Sequence, residues 1–282
     1  MTQDTIDEIH FSSNCLLKDD WKLWEILCRG APEQEKKMFE MLKAKPSPNT
    51  LVLDVGSGHG FLSKLLSEKG YAVIGADVSS FRVRDAKKKH NTIPFIISDL
   101  LHAPFTQETF HITFSSCFLH HFQDVHKVIA EIERVAKVGG EILVNEPNGT
   151  NLVFRFTEML KRISPRGLMQ RTGIDSRNET IHQHNVYVDV LLSLGFKNIK
   201  VKFVNAVEQE VKFDSVVAKA FLHTYGISIG MIMIMRFLLF KSVLKIQNKS
   251  LSCGQLIVHA IKTGFEPKTL DPCSKKLRAS ST

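Results

Sequence analysis

Asp54, Gly56, Gly58 and Gly60 alternate through the run LVLDVGSGHGFLSKLL (51–66), and Asp77 follows 21 residues after Gly56. Glycine at a strand-to-helix turn tolerates positive φ and lets the backbone approach a ligand closely. The helix behind such a turn presents unpaired N–H groups and a positive dipole end. An acidic residue about 20 positions on, at the end of the next strand, is what ribose-hydroxyl recognition requires in a doubly wound fold. The spacing is not the dinucleotide fingerprint GxGxxG, whose third glycine would fall at 61, where Phe61 stands. The pattern here is DxGxGxG.

A second group of reactive side chains follows at 116–121, the run SCFLHH. An imidazole at His120 or His121 could act as a general base for a phenol or hydroxyl, because its pKa lies near neutrality; the alternative is a capping or loop-packing pair. His182 and His184 are second-choice bases. Cys117 reads as a small buried residue, and Glu146 either orients substrate or hydrogen-bonds a loop. No histidines stand in a metal-binding helical pair, and the five cysteines form an odd, scattered set without a CxxC pair. No metal site is expected, and a reducing, cytoplasmic setting is. The polar, acidic start MTQDTIDEIH carries no secretory signal.

The elements that must position these groups follow from hydrophobic pattern. Residues 19–29 and 32–44 read as two helices, with KPSPN (45–49) as a boundary. Apolar strands at 51–55, 71–77, 94–98, 110–116 and 141–146 alternate with helices reaching about Lys69, at 80–90 and at 124–137. Such alternation means right-handed βαβ units and a parallel sheet covered on both faces. A basic, turn-rich segment spans 147–180; a helix at 184–194 and strands at 196–206 and 254–262 follow.

In order and spacing, the glycine turn, GADVS (75–79), SDLLHAPF (98–105), SSCFLHHF (115–122) and KVGGEILVNEPN (137–148) resemble the class I S-adenosylmethionine-dependent methyltransferases. Within them the similarity is greatest to the small-molecule branch of ubiquinone/menaquinone biosynthesis. The resemblance covers about 50–148 and, more loosely, 182–262. It implies a Rossmann-like, doubly wound, mostly parallel seven-stranded sheet with helices on both faces. By the same resemblance Gly56, Ser57, Gly58 and Gly60 cradle the methionine part of S-adenosyl-L-methionine and Asp54 helps hold its amino group. Asp77 accepts the ribose hydroxyls, Val78 and Leu100 sandwich the adenine, Asp99 accepts from its exocyclic amine, and Ser116 completes the set. For Asp77 and Asp99 the competing reading is helix capping or loop solvation. His59 departs from the family pattern and is assigned no chemistry.

The implied organisation is a helical cap (1–48), the cofactor core (49–148), a basic lid (149–183), the remainder of the sheet (184–262) with a hydrophobic insertion at about 213–249, and a tail (263–282). Residues 1–50 carry net charge −2 and residues 51–145 none, whereas 146–282 carry 20 basic against 10 acidic side chains. The overall +8 therefore belongs to the lid, insertion and tail. Within the insertion, 226–244 is long enough to span a bilayer, but Arg236 and Lys241 argue against that. Three readings stay open: a helix packed on the domain or on a second subunit in a homodimer, a wall of an apolar pocket, or a helix on a membrane surface through about 221–249. The expected activity is methylation of a small, rather apolar or lipid-like acceptor, preferably on oxygen. The rivals are an RNA methyltransferase, disfavoured because the basic residues are interleaved with apolar rather than stacking side chains, and a non-catalytic scaffold. Nucleic acid is not an expected partner.

Overall fold

The apolar strand cores pair into one sheet whose two faces are both buried. The computed structural model describes residues 32–156, 180–205 and 246–264, with short pieces at 219, 234–235, 238–239 and 241–244. The expected helix at 19–29, most of the lid, most of the 213–249 insertion and the tail beyond 264 lie outside the described residues.

The strands are β1 (Leu51–Val55), β2 (Ala72–Asp77), β3 (Phe95–Ile97), β4 (Phe110–Ser116), β5 (Ala136–Pro147), β6 (Phe196–Val204) and β7 (Gln255–Lys262). Among the described residues they form one seven-stranded sheet in the order β3-β2-β1-β4-β5-β7-β6. The neighbours from β3 to β5 run parallel, and β7 pairs antiparallel with both β5 and β6. This is the expected Rossmann-like, mostly parallel architecture. The chain reverses between β1 and β4, so the crevice at the carboxyl ends of those strands is the switch point where such sheets bind ligands.

Side chains alternate across the sheet. One face sets Val52, Ile112, Phe114, Leu143 and Ile257 against helices α1 (Pro32–Phe39), α2 (Phe61–Glu68) and α3 (Ser80–Lys89) through Met38, Leu66, Val83 and Ala86. The other sets Leu53, Val55, Ile142, Val144 and Val258 against α4 (Val125–Val135) and α5 (His184–Ser193) through Val128, Ile129, Ile132 and Leu191. Each such side chain taken from water contributes roughly 1.5–3 kcal/mol, before the entropy of ordering it.

Two boundaries differ by five residues from the pattern-based expectation, the other described ones by no more than two. Helix α1 ends at Phe39 rather than running to 44, because the Lys43 and Ala44 N–H groups donate to the Glu141 carboxylate of β5, which the His259 ring also engages. Strand β5 begins at Ala136 rather than 141. Its register against β4 shifts between Phe110 and Ile112, and Lys137–Gly140 form the excess loop, with Gly139 at φ +80°.

Candidate functional site

The glycine turn is held by the strand beside it. Gly56 N and Ser57 N donate to Ala76 O at 2.9 and 3.0 Å, and Gly58 N donates to Asp77 Oδ2 at 2.9 Å. Asp77 Oδ1 accepts from Ser79 N at 2.8 Å, so the buried carboxylate ties the turn to the start of α3. A carboxylate offers about four acceptor sites, which leaves capacity for further donors. Asp54, also buried, accepts the Ser63 hydroxyl of α2. Burial drives its pKa from 3.8 up to about 7, opposed by the Ser63 hydrogen bond and reinforced by the charge of Asp77.

The three glycines of the turn are not equivalent. A Cβ on Gly56 would lie 2.3 Å from the Phe118 ring, and one on Gly60 2.6 Å from the Phe95 ring. These two are demanded by packing. At Gly58, with φ +53°, a Cβ would meet nothing within 4 Å. Of the three glycines, Gly58 is the one whose Cα faces open space. Next to it the Ser57 hydroxyl is buried without a hydrogen-bond partner.

Asp99 caps the 3₁₀ turn Leu100–His102: its Oδ1 accepts from Leu101 N at 3.1 Å and its Oδ2 faces His102 Nδ1 at 3.0 Å. The loop containing it is joined to Asp77 through Ser98 N, which donates to Asp77 O at 3.0 Å. Val78 is half-buried beside Asp77, and Leu100 is packed in the core. Ser116 closes β4 and its hydroxyl accepts from Asn145 Nδ2 at 2.9 Å. His59 turns to Asp85 on α3 and takes no place at the turn.

The loop after β4 is organised by Glu146, a wholly buried carboxylate at the end of β5. It accepts from Phe118 N at 2.9 Å, Leu119 N at 2.8 Å and His120 N at 3.4 Å, and it meets His120 Nδ1 at 2.7 Å. A carboxylate in that position keeps the proton on Nδ1 and makes Nε2 the basic nitrogen. The His121 ring stacks on His120 at 4.3 Å. Burial, with His120 and Arg82 adding to it, holds the His121 pKa well below the usual imidazole range. Cys117, the residue that opens this loop, is exposed with φ +51°, in the left-handed region rarely adopted by non-glycine residues. His182 reaches the same loop through Phe122 O at 3.3 Å. His184 packs edge-on against Phe203 of β6, 5.4 Å between ring centres. Among the described residues no cluster of His, Cys, Asp or Glu could hold a metal ion.

Sequence pattern does not single out Phe118, Asn145 or Gln255. The one signal for the two amides is polarity out of place: an Asn inside the apolar strand EILVNE and a Gln opening QLIVHAIK.

Residues 53–144 match the family model described as "Methyltransferase domain". The chain is 34% identical over 92 residues to a malonyl-[acyl-carrier protein] O-methyltransferase of Hamiltonella defensa subsp. Acyrthosiphon pisum (strain 5AT), covering 33% of this chain and 36% of the relative. It is 33% identical over 123 residues to a demethylmenaquinone methyltransferase of Corynebacterium kroppenstedtii, covering 43% and 53%. Over these residues the chain is similar to S-adenosylmethionine-dependent methyltransferases. In fold it is similar to the geranyl diphosphate C-methyltransferase of Streptomyces coelicolor A3(2), with a TM-score of 0.62 at 13% identity, over 93% of this chain and 99% of that one. The chain spans about a third to a half of the length of the curated relatives it matches. The glycine turn has the donors and acceptors that S-adenosylmethionine would need: open space at Gly58, an unpartnered Ser57 hydroxyl, and the buried carboxylates of Asp54 and Asp77.

Proposed function

We propose that this chain transfers a methyl group from S-adenosylmethionine to a small, rather apolar acceptor, with oxygen the favoured nucleophile. The observation that carries the reading is the open face at Gly58, set between the buried carboxylates of Asp54 and Asp77. Gly56, Ser57, Gly58 and Gly60 would underlie the methionine part, and Asp54 would take its ammonium. Asp77 would accept ribose hydroxyls with the lone pairs its two backbone donors leave. Val78, Asp99, Leu100 and Ser116 would line the adenine and methyl ends. When bound, the sulfonium supplies an electrophilic methyl for in-line displacement.

The chain's own task is then to align the acceptor and to take its proton. His120 is the base this reading selects, since Glu146 orients it and sets its tautomer. His121 is weakened as a base by the burial that lowers its pKa, and His184 is engaged by the Phe203 ring of β6. The segment 146–282 holds the whole basic excess, which supports an acidic or membrane-borne setting for the acceptor. None of the described helices is long and apolar enough to cross a membrane.

The deciding experiment is calorimetric titration with S-adenosylhomocysteine, followed by transfer of labelled methyl to lysate fractions. Binding by the wild type, weakened by at least an order of magnitude in Asp77→Asn at a temperature where the variant is fully folded, supports the reading. No binding, or equal binding by the variant, refutes it, and label gathered mainly in RNA refutes the acceptor class.

A further inference from the structure

Four polar side chains lie in a row along one face of the sheet at its carboxyl edge. Asp54 of β1 pairs with Phe114, two residues before Ser116; Ser116 of β4 pairs with Asn145 of β5; Asn145 pairs with Ile257 of β7, two residues from Gln255. Residues in register, or two apart, share a face, and neighbouring strands stand about 4.8 Å apart. The row therefore runs from the cofactor turn across β4 and β5 to β7, in steps of one strand.

The last two members are in an unusual state. Asn145 is 3% exposed and Gln255 7% exposed. Each amide commits its NH₂ group toward the end of β4: Asn145 Nδ2 donates to Ser116 Oγ at 2.9 Å, and Gln255 Nε2 to Cys117 Sγ at 3.8 Å. Each carbonyl oxygen, Asn145 Oδ1 and Gln255 Oε1, is buried with no hydrogen-bond partner. Buried side-chain acceptors are nearly always satisfied, so two neighbouring orphans on one functional edge call for an explanation.

We propose that Asn145 and Gln255 form the polar seat of the methyl acceptor, a pair of amide carbonyls that takes a neutral molecule carrying two O–H or N–H donors. The inference rests on the methyltransferase reading above and deepens it. Carbonyl oxygens accept hydrogen bonds and repel carboxylate or phosphate oxygens, so the seat selects a diol or amino alcohol on an apolar frame over an acid. A hydroxyl donating to such a carbonyl is fixed in direction, which leaves its lone pairs to be aimed at the methyl donor. The seat begins at Ser116, one strand from the β1 turn, so the two ligands would lie side by side.

The probes are catechol, its donor-free counterpart 1,2-dimethoxybenzene, and benzoate, each titrated into the protein saturated with S-adenosylhomocysteine. The variants are the near-isosteric Asn145→Leu and Gln255→Met. Wild type should bind catechol and bind the other two at least tenfold more weakly. Each variant should weaken catechol about tenfold, the loss of one neutral hydrogen bond, while leaving S-adenosylhomocysteine binding unchanged. The melting temperature should stay level or rise, because an apolar isostere relieves an orphaned buried carbonyl. A purely structural pair of amides would give the opposite signature, a lower melting temperature with catechol binding intact, and that result overturns the proposal. So does a wild type that prefers benzoate, or one that binds none of the probes while still binding S-adenosylhomocysteine. Failure to bind S-adenosylhomocysteine at all would instead sink the methyltransferase reading itself.

Discussion

Asp54 should make cofactor affinity depend on pH. In the folded protein its carboxyl is wholly buried beside Asp77 and titrates at about 7 rather than 3.8. Between those values the native state holds a proton that the unfolded chain has released, so this group lowers stability as pH rises from 4 to 7 and holds the full penalty above. The gap corresponds to about 4 kcal/mol as an upper bound. An ammonium placed against Asp54 needs the carboxylate, and binding must therefore expel the proton wherever it is still present. Below pH 7 affinity should rise about tenfold per pH unit and then level off, giving roughly thirtyfold between pH 5.5 and 7.5.

The assay is titration of S-adenosylhomocysteine across that range in two buffers of different ionisation heat. Close to one proton should be released per ligand bound at pH 5.5, about half at pH 7 and almost none at pH 8. Asp54→Asn keeps an acceptor for the Ser63 hydroxyl and removes the titration. Its affinity should be weaker and flat with pH, and its melting temperature at pH 8 should rise by several degrees. Wild-type affinity that stays flat, with equal heats in both buffers, would refute the reasoning from burial to ammonium recognition.

The turn glycines should separate by phenotype. Gly56→Ala, which drives a Cβ into the Phe118 ring, should lower the melting temperature by several degrees more than Gly58→Ala, which should chiefly lose cofactor affinity. Glu146→Gln should cost about 2–3 kcal/mol of stability in chemical denaturation, because one amide cannot accept from three backbone N–H groups and also serve His120. Glu141→Gln should loosen residues 40–46, seen as faster amide exchange at Lys43 and Ala44. Burial works to raise the Glu141 pKa, yet His259 and the two N–H groups hold it below 4.5. Its contribution is thus present above pH 4.5 and lost as pH falls through the lower folded value, so the acid unfolding midpoint should move upward in the variant.

Most strands of the sheet are legible as apolar runs stopped by glycine, proline or a polar residue, with burial on both faces written into them, whereas the lysine-bearing β6 is legible by alternation. Local pattern starts strand β5 five residues late, since Ala136 pairs with Phe110 across a bulge that no neighbouring residue announces. It also makes helix α1 five residues too long, because EMLKA is helical by propensity; what ends the helix is a carboxylate 98 positions away in sequence from Lys43. The residues proposed to hold the cofactor are brought together for a related reason: Asp54 through Gly60 lie within one turn and Asp77 on the adjacent strand, so local spacing encodes their geometry. The acceptor side is assembled from β4, β5 and β7. Gln255 reaches Cys117 across 138 residues of sequence, and such a contact leaves no spacing to read.

Hydrogen-bond completeness separates two kinds of polar residue on the same edge of the sheet. By sequence Glu146 reads either as a substrate ligand or as a holder of a loop, and the second holds: its carboxylate is filled by the backbone and by the His120 ring. Asn145, its neighbour in sequence, points to the opposite face and keeps an unused carbonyl, as does Gln255. Ser57 does the same at the cofactor turn. A fold gains nothing by burying three unsatisfied oxygens, each a loss of about 1–3 kcal/mol. These three stand at the edge of the sheet where β1, β4 and β5 end and β7 begins, beside the glycine turn, and a pair of ligands bound side by side would satisfy them. By this argument Glu146 builds the site, whereas Ser57, Asn145 and Gln255 meet what enters it.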